Sequence, residues 1–445
     1  MTEIATTRPG VKRFIGIDWD FGALKTAGPR YWAFMAILAI FMGLAALSWV
    51  ELLRHGGGVL AMRDTNPWGL WFVNYMYYVG LSAGGLVVYA SVHLFGAEQY
   101  RPLARFAVLQ AGVLVMLALV GLLSDMERPW RAVWFMLTPN PTAPFVFTGS
   151  AAGIYMLICF ADLWVMITGK GGEKLAHRMT LIALPFAIYL HTTTAFVLAL
   201  NKSRELWHTA VMVPIFLTSA TASGIALLLI VAYLVQRFTE YNFKPSMFRS
   251  LSTLLATVII IDLFLLAVEM IVVFWGTSTT PHHSIRMAEF FTGGYAAVFL
   301  PVLALGITSF VLLARRSTRH LPAVQLTAAA LYVLAIFLKR YSLMGMGFVY
   351  DTLGQYRGIY TPSLVEILLA VGILAFGIAF VSLAVKVLPM EEPEHGNGHG
   401  HGHPHTHEPA PAPVPAPAPA GTVAASAESP PGVRPRPSLE GEVTG

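Results

Sequence analysis

Two kinds of residue in this chain could do chemistry: a charged cluster beside a long apolar run, and ionisable side chains within such runs. The cluster extends from Ser124 to Pro144. In it, Asp125 precedes Arg128 by three residues, so the two could approach each other if a helix continues for one more turn. A partly buried carboxylate suits proton transfer. We therefore predict a catalytic role for Asp125, with an exposed ion pair that ends a helix before Pro129 as the alternative.

His191 is a second candidate for proton transfer. By the helical rise per residue, it lies about 12 Å from the nearer end of its apolar run. Placing an ionisable side chain at the centre of a membrane span costs about 2.5–3.5 kcal/mol on insertion scales, so a retained one is a functional candidate. Histidine can accept and release protons near neutral pH. The alternative is a histidine that is hydrogen-bonded within a helix bundle.

Buried carboxylates form a third group. Asp262 and Glu269 are seven residues apart, which places them on nearly the same face of a helix. Such a pair could pass protons along the helix, or could make hydrogen bonds inside a bundle. His93 and Asp162 each lie near the end of an apolar run, both on the side of the membrane opposite to Asp125. Together with Tyr89 they could form an inner site of proton uptake.

Membrane-spanning helices must position these residues. The chain is 56% hydrophobic and only 12% charged, which predicts an all-α integral membrane protein. A bilayer core needs about 20 mostly apolar residues per helix. The runs that meet this requirement are ten in number: 31–54, 68–95, 103–124, 145–168, 176–199, 207–235, 250–275, 286–313, 321–340 and 361–388.

The even number of spans places both termini on one side of the membrane. Lys and Arg are more frequent in the loops on that side, so we predict that both termini are cytoplasmic. Residues 1–30 then form a cytoplasmic segment, 31–388 the membrane domain, and 389–445 a disordered cytoplasmic tail rich in His, Pro and Ala. The segment 1–30 does not resemble a cleavable signal peptide.

The outward loops carry the unusual residues. Pro139, Pro141 and Pro144 stop helix formation and predict a stiff element suited to docking a partner. Tryptophans there could be interfacial anchors or parts of a site, and three charged residues near outward span ends are explained by interfacial snorkelling. The tryptophans are Trp68, Trp71, Trp130 and Trp134, and the charged residues are Glu289, Arg340 and Glu366.

Electron carriers are not expected within this chain. Its one cysteine, Cys159, cannot hold an iron–sulfur cluster by itself, because such clusters normally take four thiolates. A haem b would need paired axial histidines, whereas His93 and His191 come from opposite ends of their spans. We therefore expect no bound haem, iron–sulfur cluster or other metal, no nucleic-acid partner, and a separate redox subunit docked on the Pro-rich loop.

Several motifs together resemble the NrfD/PsrC family of quinone-interacting membrane subunits, of the ten-span type. They are Trp68-Gly69-Leu70-Trp71 leading to Asn74 and Gly80, Asp125-Met126-Glu127-Arg128-Pro129, Pro139-Asn140-Pro141-Thr142-Ala143-Pro144, and Leu190-His191-Thr192. The chain departs from the family pattern at two places. Tyr77, Tyr78, Ser82 and Ala83 stand where several relatives have a histidine, and Glu127 replaces a glycine.

The resemblance implies two four-helix bundles, spans 2–5 and 6–9, with spans 1 and 10 outside them. It implies a quinone or quinol pocket near the periplasmic face, in a bacterial inner (cytoplasmic) membrane, and a ferredoxin-like iron–sulfur partner that could itself join a molybdopterin or multihaem subunit. Asn74 and Arg128, with the neighbouring Tyr78, are then quinone-binding candidates, and Asp125 and His191 are catalytic ones. Asp162, Asp262, Glu269 and His93 are candidates for a proton path.

The sequence thus predicts the quinone-reactive membrane subunit of a respiratory oxidoreductase complex, which exchanges electrons with its partner and could couple this to proton translocation. By itself it would not act on the terminal substrate. Two alternatives stay open: a proton-coupled secondary transporter, and a haem b membrane anchor.

Overall fold

The computed structural model describes residues 11–170, 172–204, 206–239, 241–277, 290–350 and 355–390. Ten of its helices are long and apolar enough to cross a membrane, which confirms the predicted all-α membrane fold. We label them in chain order: α1 Pro29–His55, α2 Leu70–Phe95, α3 Ala104–Asp125, α4 Pro144–Thr168, α5 Gly172–Ala199, α6 Met212–Phe238, α7 Pro245–Thr277, α8 Ala296–Ala314, α9 Pro322–Met346 and α10 Leu364–Val387.

Local sequence signals set several of these helix ends. Proline occupies the first turn of α1, α4 and α9, where its missing N–H costs nothing. Gly96 ends α2 in the left-handed conformation, with φ of 66°. The Ser363 side chain accepts from the Glu366 backbone N–H while the Glu366 side chain accepts from the Ser363 backbone N–H, a capping box that starts α10.

The helices pack as two rings of four. In the first ring α2 contacts α3, α3 contacts α4, α4 contacts α5, and α5 returns to α2. In the second ring α6, α7, α8 and α9 make the same circuit. Helices α1 and α10 pack against each other outside the rings, and α10 also packs on α2 and α3.

The two rings meet where α2 crosses α6. A Cβ atom on Gly84 would overlap the backbone of Gly224 and Ile225, and one on Gly224 would overlap the backbone of α2. The glycines therefore allow backbone-to-backbone contact, as small residues do between membrane helices. Gln110 of α3 adds a hydrogen bond from its amide nitrogen to the Gly224 carbonyl, at 3.2 Å.

Two features of the structure were not predicted: a hairpin before the first helix and a later start of the eighth helix. Before α1, the polar segment forms a hairpin in which β1 Val11–Phe14 pairs antiparallel with β2 Ile17–Asp20. Trp164 of α4 anchors this hairpin by donating its indole N–H to the Ile15 carbonyl, at 2.9 Å. The eighth helix begins at Ala296 rather than 286, because residues 292–295 form turns; residues 286–289 lie outside the described ranges.

Candidate functional site

A cleft opens at the end of the first ring where α2 begins and α3 ends, between α2, α3, α10 and the chain that follows α1. The space that the centre of a water-sized sphere can reach in it is about 20 Å³, so its walls must move apart to admit a ligand larger than water. The walls are mostly apolar, with a few polar groups. The lining residues are Leu60, Trp71, Asn74, Gly121, Ser124, Glu366, Leu369, Ala370 and Ile373.

Asn74 supplies the polar group most available to a ligand in this cleft. Its side chain is only 6% exposed, and in the described part of the chain its amide has no hydrogen-bond partner. Most buried polar groups are hydrogen-bonded, so an unpaired amide facing a cleft suits a ligand that accepts or donates a hydrogen bond. The neighbouring Ser124 hydroxyl is already used, since it donates to the Gly121 carbonyl at 2.9 Å.

Glu366 forms the opposite wall and is buried, so its prediction as an interfacial side chain was wrong. Its carboxylate accepts the backbone N–H groups of Ala61 at 3.1 Å, Leu70 at 3.4 Å and Ser363 at 2.8 Å. It also accepts the Tyr360 hydroxyl at 2.6 Å. Glu366 therefore ties the start of α10 to the start of α2 and to the loop after α1.

Tyr360 and Gly69 are adapted to the Glu366 carboxylate beside them. Burial, and then the charge of Glu366, raise the pKa of the Tyr360 hydroxyl, which keeps Tyr360 protonated as a donor. A Cβ atom on Gly69 would overlap the Glu366 carboxylate and press on Met62, which explains why a glycine stands in the Trp68-Gly69-Leu70-Trp71 motif.

The Asp125 segment does not continue as a helix. Helix α3 ends at Asp125, and Met126 is extended with φ of −73° and ψ of 123°, so Arg128 is not one helical turn from Asp125. Arg128 is exposed and does not line the cleft, whereas the Asp125 side chain lies outside what the structure describes. Glu127 has a role that was not predicted: its carboxylate accepts the Gly57 N–H at 2.5 Å and joins the loop after α3 to the chain after α1.

His191 lies deeper in the first ring and does not line the cleft. It is 2% exposed, and both ring nitrogens contact backbone carbonyls, Nδ1 with Ala187 at 2.6 Å and Nε2 with Val79 at 2.9 Å. Val79 is five residues beyond Asn74 on α2, which places His191 about 7.5 Å below the cleft. Both nitrogens can donate only when the ring carries two protons.

Hydroxyl groups occupy the space between these two levels. The Tyr75 hydroxyl is 2.9 Å from that of Thr148, which is 2.8 Å from that of Thr194. Thr194 donates to the Leu190 carbonyl, next to His191. Tyr78, one helical turn below Asn74, is buried but does not line the cleft.

At the other end of the first ring, the structure brings together Tyr89, His93 and Asp162, the group predicted to take up protons. Tyr89 donates to Asp162 at 2.8 Å, and its ring meets that of His93 edge to face at 4.5 Å between centroids. Asp162 is 1% exposed, and its second oxygen has no hydrogen-bond partner among the described residues. His93 in turn lines a wide cleft open to the surface.

In the second ring, Asp262 pairs with a residue that the sequence analysis missed. Lys339 of α9 places its ammonium 2.8 Å and 3.0 Å from the two carboxylate oxygens, and Tyr332 donates to the same carboxylate at 2.9 Å. Glu269 is also buried and accepts the Thr209 hydroxyl at 3.1 Å. Lys339 adjoins the predicted end of its span, so nothing in the sequence separated it from interfacial lysines.

Arg340 contradicts its predicted interfacial position as well. The structure buries it completely, with its guanidinium carbon 3.7 Å from the centroid of the Phe216 ring on α6 of the same ring of helices. One terminal nitrogen donates to the Ser219 hydroxyl at 2.6 Å. The other two guanidinium nitrogens have no hydrogen-bond partner among the described residues.

Aromatic residues cover the junction of the rings at the end where α2 and α6 begin. The rings of Trp68 and Trp207 stack with centroids 5.1 Å apart, and both meet Phe348 edge to face. Trp68 is thus part of the protein interior rather than a simple interfacial anchor. In contrast, Trp130 and Trp134 are 67% and 58% exposed on the loop after α3.

Ten apolar helices with charged residues buried among them define a multi-pass integral membrane protein. The family model of the polysulphide reductase NrfD matches residues 58–350, and the chain belongs to this family. This confirms the family suggested by the motifs, and the chain is therefore an NrfD-type membrane subunit of the kind found in oxidoreductases.

Curated relatives align over most of their length. A putative membrane subunit of the dimethyl sulfoxide reductase of Halobacterium salinarum is 28% identical, over 84% of this chain and 93% of the relative. An Hdr-like menaquinol oxidoreductase integral membrane subunit of Archaeoglobus fulgidus is 25% identical, over 83% and 96%. A subunit of the selenate reductase of Mesobacillus selenatarsenatis is 25% identical, over 80% and 94%.

Proposed function

We propose that this chain is the quinone-reactive subunit of a respiratory oxidoreductase, and that the cleft beside Asn74 holds the quinone head group. The observation that carries the proposal is the unpaired Asn74 amide in a cleft with apolar walls. The amide would bond one quinone oxygen, while Leu60, Leu369 and Ile373 would contact the apolar parts of the molecule. One relative is named as part of a menaquinol oxidoreductase, which supports this class of substrate.

Quinol oxidation releases two electrons and two protons, and the residues near the cleft suit the protons. Asp125, at the end of α3, and His191 remain the candidates for accepting them. The hydroxyl chain through Tyr75, Thr148 and Thr194 connects the level of Asn74 with that of His191. Asp162, His93, Asp262 and Glu269 would carry protons further if the reaction drives proton translocation.

The electrons would pass to or from an iron–sulfur subunit docked on the loop after α3, on the periplasmic side, with both termini in the cytoplasm. The loop contains a short helix, Ala132–Leu137, and exposed apolar side chains lie on this helix and just before it. Trp130, Val133, Trp134 and Leu137 are each more than half exposed. A patch of this kind suits a protein partner.

The two alternatives are distinguished by simple measurements. A secondary transporter commonly has broken helices at the membrane centre, whereas α5 and α8 continue through Pro185 and Pro301. Solute uptake by the isolated chain in liposomes would favour a transporter. A haem b anchor would show a haem absorption spectrum in the purified chain, and one relative is named a probable hydrogenase b-type cytochrome subunit.

The direct test is Asn74→Leu, which keeps the side-chain volume but removes the amide. We expect quinol turnover by the purified complex to fall about 5- to 160-fold, because a site built around a hydrogen bond loses about 1–3 kcal/mol without it. Gln110→Leu is the matched control, since it removes another buried amide of the same ring outside the cleft. Equal turnover of Asn74→Leu and wild type, per assembled complex, would contradict the proposal.

A further inference from the structure

A second cleft lies at the opposite end of the first ring, where α2 ends and α5 begins. It is open to the surface, and the space that the centre of a water-sized sphere can reach in it is about 450 Å³. Its lining is strongly basic. The lining residues are Val92, His93, Gly96, Glu98, Arg101, Lys174, His177 and Arg178.

The positive charges that line this cleft outnumber the acidic side chains that line it. Its one acidic lining residue, Glu98, is engaged with Arg101, whose Nε is 2.6 Å from the carboxylate. Lys174 and Arg178 are exposed, and neither has a hydrogen bond or ion pair within the part of the chain that the structure describes. His177 is held in place because its Nδ1 donates to the His93 carbonyl at 2.9 Å. The cleft thus presents unpaired cationic groups near the start of a long helix, where anions are favoured.

The surface beyond the cleft is apolar. Leu181 and Ile182 follow Arg178 by three and four residues, so they extend its face of α5, and both are 51% exposed. Ile188 continues the same exposed stripe toward the membrane centre. A ligand with a negative head in the cleft would therefore have apolar chains along α5.

We propose that this cleft binds the head group of an anionic phospholipid, with the acyl chains lying on the exposed face of α5. Basic pockets between transmembrane helices are suited to such head groups. The inference does not depend on the quinone site, which lies at the other end of the ring. Free inorganic or organic phosphate shares the head-group chemistry but has no acyl chains to contact Leu181 and Ile182.

The test measures lipid retention by the full-length chain, purified in detergent within its complex, using native mass spectrometry. Dioleoyl phosphatidylglycerol is the anionic probe, and dioleoyl phosphatidylcholine is the control lipid. We expect Lys174→Gln combined with Arg178→Gln to weaken phosphatidylglycerol retention about 25-fold, at about fivefold for each cation. Lys244→Gln with Arg249→Gln is the matched control, because it removes two exposed charges from the start of α7 and should retain the lipid as wild type does.

Three outcomes would overturn the proposal. The wild-type chain could retain phosphatidylcholine as well as phosphatidylglycerol. The Lys174/Arg178 double variant could retain phosphatidylglycerol like the control variant. Glycerol phosphate could displace phosphatidylglycerol at equal concentration, which would show a site for free phosphate rather than for a lipid. If the double variant assembles poorly, raising the salt concentration on wild type provides the same test, because the charge-dependent retention must then fall.

Discussion

Glu366→Gln tests whether the buried carboxylate holds together the start of α10, the start of α2 and the loop after α1. The carboxylate accepts four hydrogen bonds, two on each oxygen. The amide of glutamine has one acceptor oxygen, so its NH₂ group would face two of the four donors. At about 1–3 kcal/mol for each donor left unpaired, the free energy of unfolding should fall by about 1–6 kcal/mol, because the Leu70 N–H also donates to the Tyr360 hydroxyl at 2.7 Å and need not be left unpaired. The lower end applies if the Tyr360 hydroxyl turns to accept from the new amide.

The assay is unfolding of the purified chain in mixed micelles titrated with sodium dodecyl sulfate. Ser363→Ala is the matched control, because it removes the helix cap of α10 but leaves the carboxylate, and should cost about 0.5–2 kcal/mol. Quinol turnover gives a second readout, since Glu366 also lines the cleft. If Glu366→Gln unfolds within about 0.5 kcal/mol of wild type, the four contacts do not stabilise the fold and the reasoning fails.

Three further substitutions have defined outcomes. Lys339→Met should lower the free energy of unfolding by about 3–5 kcal/mol in the same assay, because it leaves the buried Asp262 carboxylate without its cation. A much smaller loss of stability in Lys339→Met than in Asp262→Asn would count against a true ion pair. Gly84→Ala should destabilise by about 1–3 kcal/mol through overlap with α6, whereas Gly153→Ala, with open space around it, should be neutral or stabilising. If the Asp162 carboxylate transfers protons, Asp162→Asn should slow the proton release that accompanies turnover in liposomes at least tenfold. A rate of proton release equal to that of wild type would exclude Asp162 from the proton path.

The sequence was sufficient for the ten helices and for the helix on which each polar residue lies. Hydropathy located the ten helices, since each must cross the same apolar thickness. The spacing of Asp262 and Glu269 placed both on one helix face, and both are buried. The position of a residue along a helix can therefore be read directly from the sequence.

The partners of these residues could not be read in the same way. Lys339 is 77 residues from Asp262, and only the second ring, in which α7 and α9 lie opposite each other, brings the two side chains together. Arg340 and Glu366 lie near span ends, where exposed and buried side chains have the same sequence context, so snorkelling was a reasonable but wrong interpretation. The cleft was hidden for the same reason, because one of its walls is α10, roughly 290 residues after Asn74.

The order of the cleft walls along the chain has a consequence for biogenesis. Asn74 and Ser124 are synthesised early, whereas Glu366 and Leu369 belong to the last span. A chain cut before Leu364 would still contain nine apolar spans, but its cleft would have no third wall and the loop after α1 would lack its carboxylate contact. The proposed quinone site is therefore completed only when the final helix inserts, so an unfinished chain cannot take up quinone there before its assembly is complete.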